Sequence, residues 1–276
     1  MTKSSRRLRR SAASPTRLCS RRSSVLPYAD SVTEKPRFDE VGPNANAVRA
    51  MFADVAPRYD RMNRTLSAGV DVLWRRHTVR RVLAGQDRRV RVLDVCSGTG
   101  DLALALARAG CDVVGTDFCA EMLERARTKR RAATNGVRFL AADTQRLPFE
   151  DGEFDVATVA FGIRNVHDPR AGLADMCRVV KPGGRVFVLE FSKPKAPLVG
   201  PAYLWYFRKV LPRLGRMLAP ATRRHEAYDY LPESVLRFPE REEFVRLMKD
   251  AGLEDARFEP LTFGIASLYE GRKPNG

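Results

Sequence analysis

The chain has 276 residues, 44% hydrophobic and 30% charged, enough for one large α/β domain with a buried core or for two small ones. Its net charge of +16 and pI near 10.2 favour an anionic partner, such as nucleic acid or a lipid surface. Five cysteines, odd in number and without a CxxC pair, argue against a disulfide framework and a zinc site, and for a reducing compartment.

Charge is concentrated at the start. Residues 1–24 carry eight Lys and Arg and no acid, which leaves +8 for the other 252 residues. Residues 1–45 therefore read as a basic, Ser- and Arg-rich extension that cannot build a core. They lack the apolar stretch of a secretory signal. A transit peptide, a nucleic-acid or lipid-binding tail and an extension without a role all fit them. Residues 46–276 read as a single domain in which strands and helices alternate. Apolar, β-branched runs at 90–95, 112–116, 137–141, 155–160 and 184–191 predict buried parallel strands. Helical patterns lie between them, with Gly110 and Gly183–Gly184 as expected helix stops. FEPLTFGIASLYEGRK, near the end, predicts an antiparallel hairpin at one sheet edge. Such an alternation predicts a doubly wound α/β fold with its ligand site at the carboxyl ends of the strands.

VRVLDVCSGTGDL, residues 90–102, supplies the first chemical signal. Gly98, Gly100 and Ala103 satisfy the dinucleotide pattern GxGxxG/A, so an NAD-dependent oxidoreductase is one reading. Asp94 and Asp101 flank that turn and would repel a diphosphate, whereas they suit a cation. S-adenosylmethionine carries a sulfonium and an ammonium and no phosphate. On that reading Asp94 engages its amino group, or else only caps the turn, while Gly98 and Gly100 let the backbone pass close under the ligand. Asp117, seventeen residues past Gly100 at the end of the second strand, can grip two ribose hydroxyls. Asp143 and Thr144 close the third strand, where the carboxylate can accept from an adenine amino group. Helix capping is the other reading of Asp117 and Asp143.

The residues resemble the menaquinone/ubiquinone biosynthesis C-methyltransferases over about 46–273. The resemblance rests on MFADVAPRYDRMN (51–63), LSAGVDVLW (66–74), LDVCSGTGDL, LPFEDGEFDVATVAFGIRNVHD (147–168), RVVKPGGRVFVLEFSKP (178–194) and YDYLPESVLRFP (228–239). It implies a Rossmann-like class I methyltransferase with a seven-stranded, mostly parallel sheet in the order 3-2-1-4-5-7-6 and helices on both faces. It further implies S-adenosylmethionine as cofactor, with Thr99, Asp117, Asp143 and Thr144 in contact with it, and a polyprenyl quinol as methyl acceptor. Ala160 departs from the serine that relatives carry in the segment TxSFGxRN, removing a hydroxyl near the cofactor.

A quinol carbon becomes nucleophilic once a neighbouring phenol ionises. Arg164 and Asn165, in FGIRN after the fourth strand, are the expected catalytic residues, placing the quinol and stabilising a phenolate; a salt bridge and a turn amide are the bland alternatives. His167 is a further candidate base, and Tyr59 and Asp60 belong to a helix that covers the cofactor or only packs. The insertion at 196–230 opens with an uncharged aromatic stretch and continues with Arg208, Lys209, Arg213 and Arg216, a composition suited to the membrane interface as well as to packing. These features lead us to expect demethylmenaquinol methylation by a cytoplasmic enzyme peripheral to the inner face of a membrane, or an organellar one if the arm is a transit peptide. A benzoquinol acceptor and a homo-oligomer are compatible with the sequence. An RNA methyltransferase is a third reading, prompted by charge but lacking an NPPY-type base pocket.

Overall fold

The parallel core follows from apolar residues on both faces of each strand, which only helices on both sides can bury. A computed structural model describes residues 43–86, 89–133, 137–197, 199–210, 213 and 224–276. The basic arm up to residue 42, Cys19, and Arg216 with most of the second half of the insertion lie outside the described residues. Strands β1 (Arg91–Val95), β2 (Asp112–Asp117), β3 (Val137–Ala141), β4 (Phe154–Ala160), β5 (Val180–Phe191), β6 (Glu254–Leu261) and β7 (Ala266–Arg272) form one sheet. Its order is β3-β2-β1-β4-β5-β7-β6, as the resemblance implies. Strands β1 to β5 are parallel, and β7 runs antiparallel to both β5 and β6, which is the expected terminal hairpin.

Alternate residues feed two cores. Leu93, Val95, Val186 and Val188 pack into one, beneath α6 (Pro169–Val179) and α9 (Glu242–Asp250). Val92, Val113, Phe187 and Leu189 pack into the other, with α3 (Val70–Leu83), α4 (Asp101–Arg108) and α5 (Ala120–Ala133). Gly110, at φ +95°, follows the end of α4 as expected. Gly183–Gly184 do not stop a helix: α6 ends at Val179 and both glycines lie within β5. The reason is a close backbone approach, since a Cβ on Gly184 would stand 2.8 Å from the Lys181 carbonyl oxygen and 2.9 Å from that of Asp155.

Helices α1 (Ala45–Val55) and α2 (Tyr59–Leu66) precede the sheet and cover its carboxyl edge. Asn44 caps α1, its Oδ1 accepting from the backbone N–H groups of Asn46 and Ala47 at 3.0 and 3.1 Å. Val48 and Met51 of α1 pack on Tyr230 of α8 (Arg224–Arg237). In the insertion, α7 (Val199–Trp205) passes into a π-helical turn at Tyr206–Val210. Among the described residues no helix is long and apolar enough to cross a membrane.

Candidate functional site

The glycine-rich turn leaves β1 at the middle of the sheet, so its neighbours are set by strand register. Asp94 stands opposite Gly115 of β2 and Thr158 of β4. Thr158 donates its hydroxyl to Asp94 Oδ1 at 2.7 Å, while Asp94 Oδ2 is buried without a hydrogen-bond partner. Burial raises the Asp94 pKa to about 7, against the opposing pull of Thr158 and of Arg75. Asp117, at the end of β2, accepts from the Gly98 and Cys119 backbone N–H groups, each at 2.8 Å. Burial lifts it as well, to about 6. It therefore holds the turn itself, with lone pairs remaining on both oxygens for a ligand.

One cavity gathers Asp94, Gly98, Thr99, Asp117, Asp143, Thr144 and Asn165 on its wall, together with Ala160 and His167. Gly100 is absent from that wall. A Cβ there would meet Phe139 Cζ at 2.8 Å and Ala126 Cβ at 3.1 Å, so Gly100 serves the approach of α4 to the core. Gly98 does line the cavity, and with φ +56° and nothing within 4 Å of an added Cβ it leaves open space there. Asp143 is exposed and holds the backbone and side-chain N–H groups of Gln145. Thr144 is buried, its hydroxyl 3.2 Å from Cys96 Sγ. The His167 ring nitrogen Nδ1 lies 3.3 Å from the Pro43 carbonyl oxygen.

Asp101 departs from the electrostatic expectation. Lys129 Nζ lies 2.6 Å from one of its oxygens and Arg64 Nη2 3.2 Å from the other. Burial alone would raise its pKa, yet Lys129, Arg75 and Arg64 together hold it below the ordinary carboxylate range. Its charge is compensated by the protein, so of the two acids flanking the turn only Asp94 is without an ion-pair partner among the described residues. Lys129 also donates to Asp60 at 2.8 Å and to the Thr99 hydroxyl at 3.1 Å, and Thr99 donates to Asp60. Asp60 thereby ties α2 to the turn, so this helix does cover the cavity.

A second cavity, of about 420 Å³ and predominantly apolar, adjoins the first. Phe52, Tyr59, Arg75 and Phe161 line both. Tyr203 and Tyr206 reach it from the insertion, Tyr230 from α8 and Trp74 from α3. Phe161 and Phe191 pack at 4.5 Å between ring centres. The Arg75 guanidinium lies 5.3 Å from the Phe161 ring and that of Arg164 5.4 Å from the Phe191 ring, at cation–π distance. Phe161 has φ +58°, a left-handed conformation costly for an aromatic residue, and its carbonyl accepts from Arg164 Nη1 at 2.7 Å.

The two expected catalytic residues face different spaces: Asn165 lines the first cavity and Arg164 the second. Arg164 is 5% exposed and paired at 2.7 Å with Glu190, itself 2% exposed. Asn165 Oδ1 accepts from the Tyr230 hydroxyl at 3.1 Å. Arg164 thus makes the expected salt bridge and still lines the second cavity. Sequence reasoning missed Arg75, Glu190 and Tyr230. Each lay in or next to a quoted motif, but nothing in one sequence marks which member of a motif turns inward.

The first cavity fits S-adenosylmethionine by its own chemistry. It offers a buried carboxylate oxygen lacking a donor, a glycine that leaves room for close contact, and an acid at the end of β2 for the ribose. The comparisons agree. Residues 40–273 match the ubiE/COQ5 methyltransferase family. The chain is 46% identical over 231 residues to the ubiquinone/menaquinone biosynthesis C-methyltransferase UbiE of Geobacter sp. (strain M21), covering 82% of this chain and 96% of the relative. It is 45% identical over 241 residues to the demethylmenaquinone methyltransferase of Deinococcus radiodurans, covering 87% and 98%. Its fold is shared with a SAM-dependent methyltransferase of Thermotoga maritima, at TM-score 0.58 and 21% identity, over 82% of this chain and 99% of that one. From the glycine turn, the sheet order and these relatives together, the chain belongs to the ubiE/COQ5 methyltransferase family.

Proposed function

We propose that the protein methylates a ring carbon of a polyprenyl quinol, with demethylmenaquinol as its main acceptor and a benzoquinol as a second. The observation that carries this reading is the pair of adjoining cavities, one lined by buried carboxylates, the other by aromatic side chains, with a common wall of four residues. Bound S-adenosylmethionine supplies an electrophilic methyl group on a sulfonium. Everything else is done by the chain. Asp94 Oδ2 takes the donor's ammonium, Asp117 its ribose, Asp143 and Thr144 the adenine edge, and Gly98 and Thr99 the passage between them. Tyr203, Tyr206 and Phe191 enclose the acceptor ring and exclude water. Arg164, fixed by Glu190 and by the Phe161 carbonyl, stabilises the phenolate that activates the ring, and Asn165, on the donor side but bonded to Tyr230 of the acceptor cavity, orients a ring oxygen where the two cavities meet. Aligning the two reactants can supply about 7–11 kcal/mol of the barrier.

A membrane surface completes the proposal. Three of the large exposed apolar side chains, Leu73, Trp205 and Phe263, each follow or precede a residue that lines the second cavity: Trp74, Tyr206 and Thr262. A peripheral position on a lipid leaflet would bring a polyprenyl tail to that cavity while these side chains enter the interface. The decisive assay is transfer of labelled methyl from S-adenosylmethionine to demethylmenaquinol and to the demethoxylated benzoquinol side by side, with Asp117→Ala as control. Label on neither quinol, together with label on another lipid or on RNA, would overturn the acceptor assignment.

A further inference from the structure

Four aspartates line the first cavity: Asp94, Asp101, Asp117 and Asp143. A ligand with an amino-acid end brings a carboxylate as well as an ammonium, and a carboxylate cannot be seated among acids alone. Of the described residues lining this cavity, Arg75 is the one Lys or Arg. We infer that Arg75 anchors the carboxylate of the methyl donor's amino-acid end, an inference that rests on the donor site proposed above.

The guanidinium is held for that task. Arg75 is 9% exposed, and Nη1 donates to the Asp71 carboxylate and, at 3.2 Å, to the Asp71 carbonyl. Among the described residues its hydrogen bonds all leave from Nη1, so Nη2 and Nε keep their donors. Asp71 does not neutralise it fully, because the same carboxylate also pairs with Arg64 at 2.9 Å and accepts from Ser67 at 2.8 Å. Two guanidiniums share one carboxylate. The guanidinium also lies 5.3 Å from the Phe161 ring centre, at cation–π distance. Its position along the cavity is set as well. With Phe161 it stands on the wall common to both cavities, on the side of the donor site where the acceptor cavity adjoins it. Ammonium to Asp94 and carboxylate to Arg75 would make the site complementary to a zwitterion.

Arg75 also lines the second cavity, so the test must separate donor from acceptor. Equilibrium binding is measured on the full chain with S-adenosylmethionine and with decarboxylated S-adenosylmethionine, which differ only in the carboxylate. The wild-type protein is expected to prefer the former by about 10- to 100-fold, the range for a charge-assisted hydrogen bond. Arg75→Gln should abolish that preference by weakening S-adenosylmethionine alone, and Arg75→Lys should restore part of it. Equal binding of both ligands by the wild type, a comparison that needs no variant, would overturn the assignment. So would equal weakening of both in Arg75→Gln, or unchanged donor binding with a raised KM for the quinol. If the wild type binds neither ligand, the donor reading itself fails and the assignment with it; discrimination failing while both still bind sinks Arg75 alone.

Discussion

Asp94 shows how one side chain couples position to protonation. A central strand buries it, Thr158 satisfies one oxygen, and the other is left without a donor, so the ligand-free carboxyl has a pKa of about 7. A bound ammonium favours the ionised form. Donor affinity should therefore rise as pH increases through 7, and binding near pH 6.5 should release a proton, seen as a calorimetric heat that changes with buffer ionisation enthalpy. Asp94→Asn should remove the buffer dependence. The same shift has the opposite sign for stability. An acid whose pKa is raised on folding holds more protons in the folded state, so Asp94 makes the ligand-free protein less stable as pH rises from about 4 to 7. Arg164 and Glu190 form the other decisive pair. Both are buried, and Glu190→Ala strands a cation; we expect a loss of about 3–5 kcal/mol in denaturant unfolding. Removing Glu259, whose pairs with His77 and Arg81 lie at the surface, should cost about 1 kcal/mol or less. Arg164→Met should lower kcat about 100-fold or more while donor affinity stays within about 3-fold.

Two elements decide whether the donor cavity exists. The glycine turn can pass between β1 and α4 because β2 presents Gly115 beside it. A Cβ at Gly115 would stand 2.6 Å from Phe139 Cε1 and 3.0 Å from Ser97 Oγ. Gly115→Ala should destabilise the fold by about 1–3 kcal/mol and lower Tm, with the turn displaced and donor affinity reduced. The covering helix α2 is held by a polar latch, since Asp60 meets both Thr99 and Lys129. Lys129→Ala removes the one cation that Asp60 and Asp101 share, leaving Asp60 only Thr99 and Asp101 only Arg64, so proteolysis within residues 51–69 should quicken and donor dissociation should accelerate, measured by limited digestion and stopped flow. The central parallel strands were legible because they are apolar on both faces, and the observed bounds of β1 to β4 lie within a residue of the expected ones; β6 begins at Glu254, four residues before the expected hairpin, because its alternating charged residues carry no apolar run. Strand β5 begins at Val180, four residues earlier than expected. Its glycines looked like a stop, and only the packing of Gly184 against neighbouring carbonyl oxygens explains them as strand residues.

At the scale of the molecule, the charge and the exposed aromatic side chains lead to separable outcomes. Deleting residues 1–40 should remove any RNA affinity the chain has and leave quinol methylation intact; a parallel loss of methylation would show that the arm serves the enzyme. Trp205→Ala with Phe263→Ala should weaken sedimentation with anionic vesicles and raise KM for a long-tailed quinol more than for a tail-free one. The sequence by itself determined the strand alternation, the glycine turn, the acids Asp94, Asp117 and Asp143, and the motif FGIRN, because hydrophobic period and local turn chemistry are properties of neighbouring residues. It could not decide how those acids are spent. Asp101 is neutralised by Lys129, twenty-eight residues away, and Arg64, thirty-seven away. Arg164, in the turn after β4, is fixed by Glu190 on β5, and Asn165 by Tyr230 on a helix sixty-five residues later. Charge compensation and hydrogen bonding act through space over a few ångströms, so only the folded chain, which brings distant segments to one sheet edge, settles which groups remain free for a ligand.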